Sequence, residues 1–271
     1  MFQIKYFHGL WGLSLPTLEL NLRRIREGGF EGVEMGVPED GGLRRELAAL
    51  LEDLGLSLIA QQWTRGSSPE EHAASFEDQY RRAAELRPVL VNSHSGKDYF
   101  TTEENLLVLR RAARLEEELR LPVAHEVHRG RATFSTTATA ALLERMPDLK
   151  LAADFSHWCC VHESLLEDQE QILAKAIDRS FHIHARVGHP EGPQVSDPRA
   201  PEWQRAVEAH LAWWQRIVDR RRQEGAELLT ICPEFGPPDY MPTLPYTRQP
   251  VADLWELNCH MKRLLEQRLR L

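Results

Sequence analysis

Eight times along the chain a short apolar run is followed by a longer amphipathic one, and this alternation restricts the fold more than any other feature. Strand-like runs span Gln3 to His8, Phe30 to Gly36, Leu56 to Gln62, Pro88 to His94, Leu121 to His128, Leu149 to Phe155, Ser180 to Arg186 and Leu228 to Glu234. Each leads into a stretch with helical spacing, as with Leu18, Leu22 and Ile25 before the Gly28-Gly29 stop. The predicted helices are 15–27, 42–54, one opened by Ser68 and Pro69, 101–120, 135–146, 164–177, 202–222 and 251–268. Ser68 is suited to cap its helix and Pro69 to begin it. Eight strand-then-helix units in 271 residues predict an α/β chain folded as one closed (β/α)8 barrel, with eight parallel strands inside and helices outside. An open doubly wound sheet does not need eight units, and no GxGxxG fingerprint follows the first strand. No low-complexity tract or Ser/Gly-rich linker divides the chain, so residues 1–271 are expected to form a single domain.

In such a barrel, chemistry gathers where the strands end and the loops into the helices begin. Four successive runs carry acidic or imidazole side chains at that end: Glu126, Asp154, His184 and Glu234. Side chains two apart share a face of a strand, so His182, His184 and Arg186 point one way. With Glu126 inward, Ala124 and His128 are inward while Val123 and Val127 face the helices; with Glu234 inward, Thr230 and Cys232 join it while Leu229 and Ile231 pack outward. Three carboxylates converging beside one imidazole near the barrel axis repel one another unless a cation lies among them. The reading is one divalent ion held by Glu126, Asp154, His184 and Glu234. Oxygen-rich ligation favours Mn2+, then Mg2+, with Co2+, Fe2+ or Zn2+ as alternatives.

Composition narrows the partners. Lys and Arg number 33 against 41 Asp and Glu, a formal charge of −8, which repels polyanions and disfavours nucleic acid. No apolar run approaches the roughly 20 residues that cross a bilayer. The start, Met1 to His8, lacks the pattern of a secretory signal, and the four cysteines form no CxxC pair, so a cytoplasmic protein with reduced thiols is expected.

Four motifs carry a resemblance: His125-Glu126-Val127-His128-Arg129-Gly130-Arg131, Ala153-Asp154-Phe155-Ser156-His157-Trp158, His182-Ile183-His184-Ala185-Arg186-Val187-Gly188 and Cys232-Pro233-Glu234-Phe235-Gly236. Their order resembles that of the xylose-isomerase-like TIM-barrel superfamily, over essentially the whole chain. It is most similar to the members called sugar phosphate isomerase/epimerase. Relatives in that superfamily include D-tagatose 3-epimerase-like enzymes, hydroxypyruvate isomerase, inosose dehydratase and endonuclease IV. The resemblance implies that Glu126, Asp154, His184 and Glu234 bind the metal, that Glu126 and Glu234 exchange protons with a substrate carbon, and that His157 touches a substrate oxygen. The ketose epimerases carry a second glutamate and an arginine six residues beyond the first glutamate and the histidine ligand; here those positions are Ala132 and Pro190.

Further substrate contacts are expected from His94 at the fourth strand end, from His8 and Trp11 after the first, and from His128, Arg131 and Arg186. The basic group His128, Arg129 and Arg131 could receive an anionic substrate. His182, one pleat below His184, reads as a supporting or core histidine, and Trp213 and Trp214 as core or a subunit contact. His189 and Glu191, in the long loop 187–200, could cover the site or reach a neighbouring subunit. The expected activity is that of a metal-dependent sugar or sugar phosphate isomerase or epimerase in carbohydrate metabolism. It takes a small polyhydroxylated carbonyl compound and works through a metal-stabilised enediolate. An inosose-type dehydratase is the nearest alternative. An endonuclease IV-like phosphodiesterase and a non-catalytic sugar-binding barrel are the readings from other classes. The nuclease needs a further histidine at the third strand end, where the chain has Gln61-Gln62-Trp63. Relatives commonly form homodimers or homotetramers, and the same is expected here.

Overall fold

Helix starts are fixed by side-chain caps. Thr17, Asp40, Ser68, Thr101, Ser135 and Asp253 each accept a hydrogen bond from the backbone N–H three residues on. Each such cap contributes about 1 kcal/mol by satisfying a donor that the first turn leaves open. At Thr101 the Glu104 carboxylate returns the bond to the cap's own N–H, closing a capping box.

The computed structural model describes residues 2–271. Its strands are β1 (Gln3–Gly9), β2 (Gly32–Gly36), β3 (Ser57–Trp63), β4 (Leu90–His94), β5 (Val123–Glu126), β6 (Leu151–Ala153), β7 (Ser180–His184) and β8 (Leu228–Cys232). All pair in parallel, each with its sequence neighbour, and β1 pairs with β8 to close the barrel. Around them lie α1 (Leu18–Glu27), α2 (Gly41–Leu54), α3 (Pro69–Ala84), α4 (Thr102–Leu119), α5 (Thr136–Arg145), α6 (Ser156–Val161), α7 (Glu170–Asp178), α8 (Gln204–Gln223) and α9 (Leu254–Arg268). No helix among the described residues is long and apolar enough to cross a membrane.

The period of two sorts the strand residues. Phe7, Ile59, Leu90, Ala124, Ala152 and Cys232 form an apolar plug inside the barrel. Val33, Val127, Ile183, Leu229 and Ile231 pack in the layer shared with the helices. This is the parity expected for Ala124, Val127, Leu229 and Ile231. The plug needs one close approach: a Cβ on Gly32 would lie 2.2 Å from the Phe7 ring and 2.6 Å from the Ser57 carbonyl oxygen. Gly32→Ala is therefore expected to destabilise the fold by about 1–3 kcal/mol through overpacking. An unchanged denaturant midpoint would count against that packing.

Two expectations are corrected. The helix predicted at 164–177 starts six residues late, after a turn with left-handed backbone at Leu166 (φ 60°). A short helix, α6, instead follows β6 directly, and α7 begins only at Glu170. The strands also end sooner than the apolar runs do. His128, Asp154, Arg186 and Glu234 lie just beyond the hydrogen-bonded ladder, in the loops that form the barrel mouth.

Candidate metal centre

Above the plug the interior turns polar. One ligand atom from each of Glu126, Asp154, His184 and Glu234 can be chosen so that all four lie within 4.8 Å of one another, and all four residues are buried. These are the four residues that the strand-end pattern singled out. Their donors fit a divalent ion on two observations. Glu126 Oε1 and His184 Nδ1 are buried and lack a hydrogen-bond partner. His184 Nδ1 also lies 2.6 Å from Glu234 Oε2, out of hydrogen-bond alignment, and 3.5 Å from Glu126 Oε2.

The other ring nitrogen explains why Nδ1 is open. His184 Nε2 is 2.9 Å from Glu34 Oε1, so its N–H donates there and leaves the Nδ1 lone pair facing the carboxylates. Glu34 Oε2 takes His182 Nε2 at 3.1 Å, and the other side of that ring meets Thr230 Oγ1 at 2.8 Å. The Asn92 amide donates to Glu34 Oε1 at 2.8 Å and to Glu126 Oε2 at 2.7 Å, tying the two carboxylates together. Sequence reasoning missed Glu34 and Asn92. The available signal was parity: Glu34 shares a strand face with Gly32, whose missing side chain makes room for Phe7.

The same carboxylates also favour a second proton on the His184 ring. Burial alone would lower the His184 pKa, but Glu234, Glu34 and Glu126 hold it well above the ordinary imidazole value. Burial opposes ionisation of Glu34, yet His184 and His182 keep its carboxyl well below the usual range. Asp154 is pushed up to about 6 by burial, with Arg186 opposing and Glu234 adding to the rise. Divalent ions compete with the His184 proton for Nδ1.

A cavity of about 420 Å³ opens over this cluster, bordered on its polar side by His94, Glu126, His128, Arg186 and Glu234. Its other walls are Leu10, Trp11, Met35, Gly36, Gln61, Trp63 and Tyr240. His94 Nε2 lies 2.8 Å from Glu126 Oε2. Arg186, 2% exposed, donates from Nη2 to Asp154 Oδ2 and Glu234 Oε2, both at 2.6 Å. His128 Nε2 meets the Tyr240 hydroxyl at 3.2 Å, and its ring lies 4.0 Å from that of His157. His157 is fully buried, 3.5 Å from Asp154 Oδ2, and neither of its nitrogens has a hydrogen-bond partner.

His157 does not border the cavity, and three further expected contacts are not brought to it. His8 faces the helix layer because Phe7 fills the interior; it packs 5.0 Å from Trp255 and 4.9 Å from Phe30. Arg131 donates from Nη1 to the Thr64 carbonyl oxygen, and neither it nor Arg129 borders the cavity. The loop 187–200 does not cover the site either: His189 bridges back to Gly192 and packs 4.7 Å from Trp203. Trp213 and Trp214 are buried in the core.

Buried histidines away from this centre set an acid limit on the fold. Burial pushes His8 and His210 down to about 4 and His125 to about 3. Below pH 6.5 the unfolded chain takes up protons that these native rings refuse, so their stabilisation, complete above 6.5, is lost as pH falls towards 4. Each contributes a slope of up to ~1.4 kcal/mol per pH unit. Calorimetry is expected to show Tm falling from about pH 6.5 downward; a flat profile to pH 5 would contradict the assignment.

Known proteins share this architecture. Across 98% of this chain and 100% of its own, the 3-keto-D-glucoside 4-epimerase YcjR from E. coli superposes with a TM-score of 0.64 at 14% identity. The probable 3-DHS dehydratase AsbF from Bacillus anthracis does so with a TM-score of 0.61 at 14% identity, covering 97% and 98% of the two chains. Endonuclease IV from Thermus thermophilus gives 0.59 at 14% identity, over 97% and 98%. At such identity the likeness is one of fold. No curated protein matches the sequence. Residues 22–193, more than half of the chain, match the family described as the xylose isomerase-like TIM barrel, and with the closed eight-stranded barrel this places the chain in that family.

Proposed function

We propose that the protein is a divalent-metal-dependent isomerase or epimerase that moves a proton at a carbon next to the carbonyl of a small polyhydroxylated compound. The observation that carries this reading is a pair of carboxylates, Glu126 and Glu234, bordering one cavity directly over a cluster suited to a divalent ion. Glu126, Asp154, His184 and Glu234 would hold the ion, with Mn2+ or Mg2+ favoured by the oxygen-rich donor set. When bound, the ion supplies Lewis-acid polarisation of adjacent carbonyl and hydroxyl oxygens.

The remaining roles fall to the protein's own side chains. Glu126 is anchored through Oε2 by Asn92 and His94, which holds its carboxylate at the cavity to take or return a proton. Glu234 is held from the opposite side of the cluster by Arg186 Nη2 and serves as the second proton carrier. Arg186 and His94 keep the two carboxylates in place while the substrate carbon lies between them. The YcjR epimerase and the AsbF dehydratase share the fold.

The test is metal-dependent incorporation of solvent deuterium into a panel of ketoses and inososes. Exchange at one carbon with Mn2+ or Mg2+, and none after chelation, is the expected result. Loss of water from the same compounds would assign a dehydratase instead. Cleavage of abasic duplex DNA without any sugar exchange would replace the reading with a nuclease.

A further inference from the structure

We propose that the substrate is an uncharged sugar derivative, bearing neither phosphate nor carboxylate, whose end remote from the reacting carbon is apolar and lies against the aromatic wall of the cavity. This rests on the isomerase or epimerase reading of the same site and specifies its substrate class.

Arg186 is the only arginine or lysine that borders the cavity among the described residues. Recognition of carboxylate or phosphate by arginine uses a fork of two adjacent nitrogens, and both forks of a guanidinium include the same terminal nitrogen. Here that nitrogen, Nη2, already donates to Asp154 Oδ2 and to Glu234 Oε2, both at 2.6 Å, while Nε donates to Asp154 Oδ2 at 3.1 Å. Only Nη1 is without a partner, and it is buried. Nη1 alone offers hydroxyl or carbonyl oxygens its N–H groups but no two-nitrogen fork for an anion.

The surroundings agree. Glu34, Glu126, Asp154 and Glu234 surround the floor with Arg186 as their one guanidinium, so even a bound divalent ion leaves the floor net negative and unfavourable to a further anion. Phosphate sites in barrels of this type commonly use loops after the seventh and eighth strands and the start of a helix. No residue of 187–203 borders the cavity, and α8 is preceded by the turn Pro201-Glu202-Trp203. The remaining wall is apolar and aromatic: Leu10, Trp11, Met35, Trp63 and Tyr240. Trp11 is 43% exposed and meets Tyr240 edge to face at 5.2 Å, which leaves an open indole surface at the mouth.

The experiment compares four ketohexoses that differ only at C6, carrying a hydroxyl, an O-phenyl ether, a phosphate or a carboxylate. Binding to the Mn2+-loaded protein is followed by tryptophan fluorescence and calorimetry, and deuterium incorporation is measured in parallel. The phenyl ether is expected to bind about tenfold tighter than the parent sugar, and the phosphate and carboxylate no tighter than the parent. Trp11→Ala, at a half-exposed position, is expected to remove most of the phenyl advantage. A phosphate or carboxylate that binds tighter than the phenyl ether overturns the proposal, and so does failure of all four to bind. Binding in the expected order with no deuterium exchange upholds the pocket assignment and removes the isomerase reading. Exchange confined to the phosphate does the reverse.

Discussion

Glu234→Gln is expected to lower solvent-deuterium exchange and turnover by about 10²–10⁴-fold, the range for loss of a general acid or base, with the fold retained. The amide is nearly isosteric and keeps an oxygen that can accept from Arg186 Nη2, whose bond to Glu234 Oε2 is 2.6 Å in the native protein. What it loses is the ability to carry a proton. Because that loss acts in the transition state, kcat and kcat/KM should fall together while KM changes little. Glu234 also belongs to the four-residue cluster, so exchange must be measured at saturating Mn2+ with the ion content of the variant assayed directly. A metal-loaded Gln variant that still exchanges deuterium at the native rate would show that Glu234 is not a proton carrier and that Glu126 works alone or with another partner.

The parts of this molecule that were legible in the sequence are those written in local order. Strand and helix alternate with clear periods, and caps such as Ser68 and Thr101 announce the helix starts. The four cluster residues stand at the same end of successive apolar runs, where barrel geometry makes them converge. His8 shows the limit of that reasoning. It too ends an apolar run, but its direction is set by which of two neighbours fills the interior, and Phe7, 0% exposed, is the better plug. Tyr240 was hidden for another reason. It lies in a proline-rich loop without periodicity and reaches the cavity only because β8 returns the chain to the mouth, where its ring packs 4.5 Å from the Arg186 guanidinium. Glu34 was the most consequential omission. Beyond its parity with Gly32, a single carboxylate between Val33 and Met35 has no local sign of function, and its partners His182 and His184 are 148 and 150 residues away in the chain.

That carboxylate leads to the second large effect. Glu34→Gln is expected to weaken Mn2+ binding by about 10–100-fold, as removal of an outer hydrogen-bond partner of a ligating histidine does. Glu34 accepts at both oxygens, from His184 Nε2 at 2.9 Å and from His182 Nε2 at 3.1 Å. A glutamine has one acceptor and one donor, so it cannot serve both rings as they stand. If its amide nitrogen faces His184, Nε2 must become the acceptor and the proton moves to Nδ1, which then has no lone pair for an ion. If its oxygen faces His184, the tautomer survives, but His182 is left facing a donor and the negative charge that favours the arrangement is gone. Either way the buried network is incompletely satisfied, which is costly where water cannot enter. Two measurements separate this positioning role from a direct one. Calorimetric Mn2+ titration should show the weakened affinity, and activity at saturating Mn2+ should recover to within a few-fold of native. Glu34→Asp, which keeps both acceptors, should restore part of the affinity. If metal binding in the Gln variant were native but exchange were lost, Glu34 would itself be handling the proton, and the division of labour between the orienting carboxylate on β2 and the proton carriers Glu126 and Glu234 would have to be reversed.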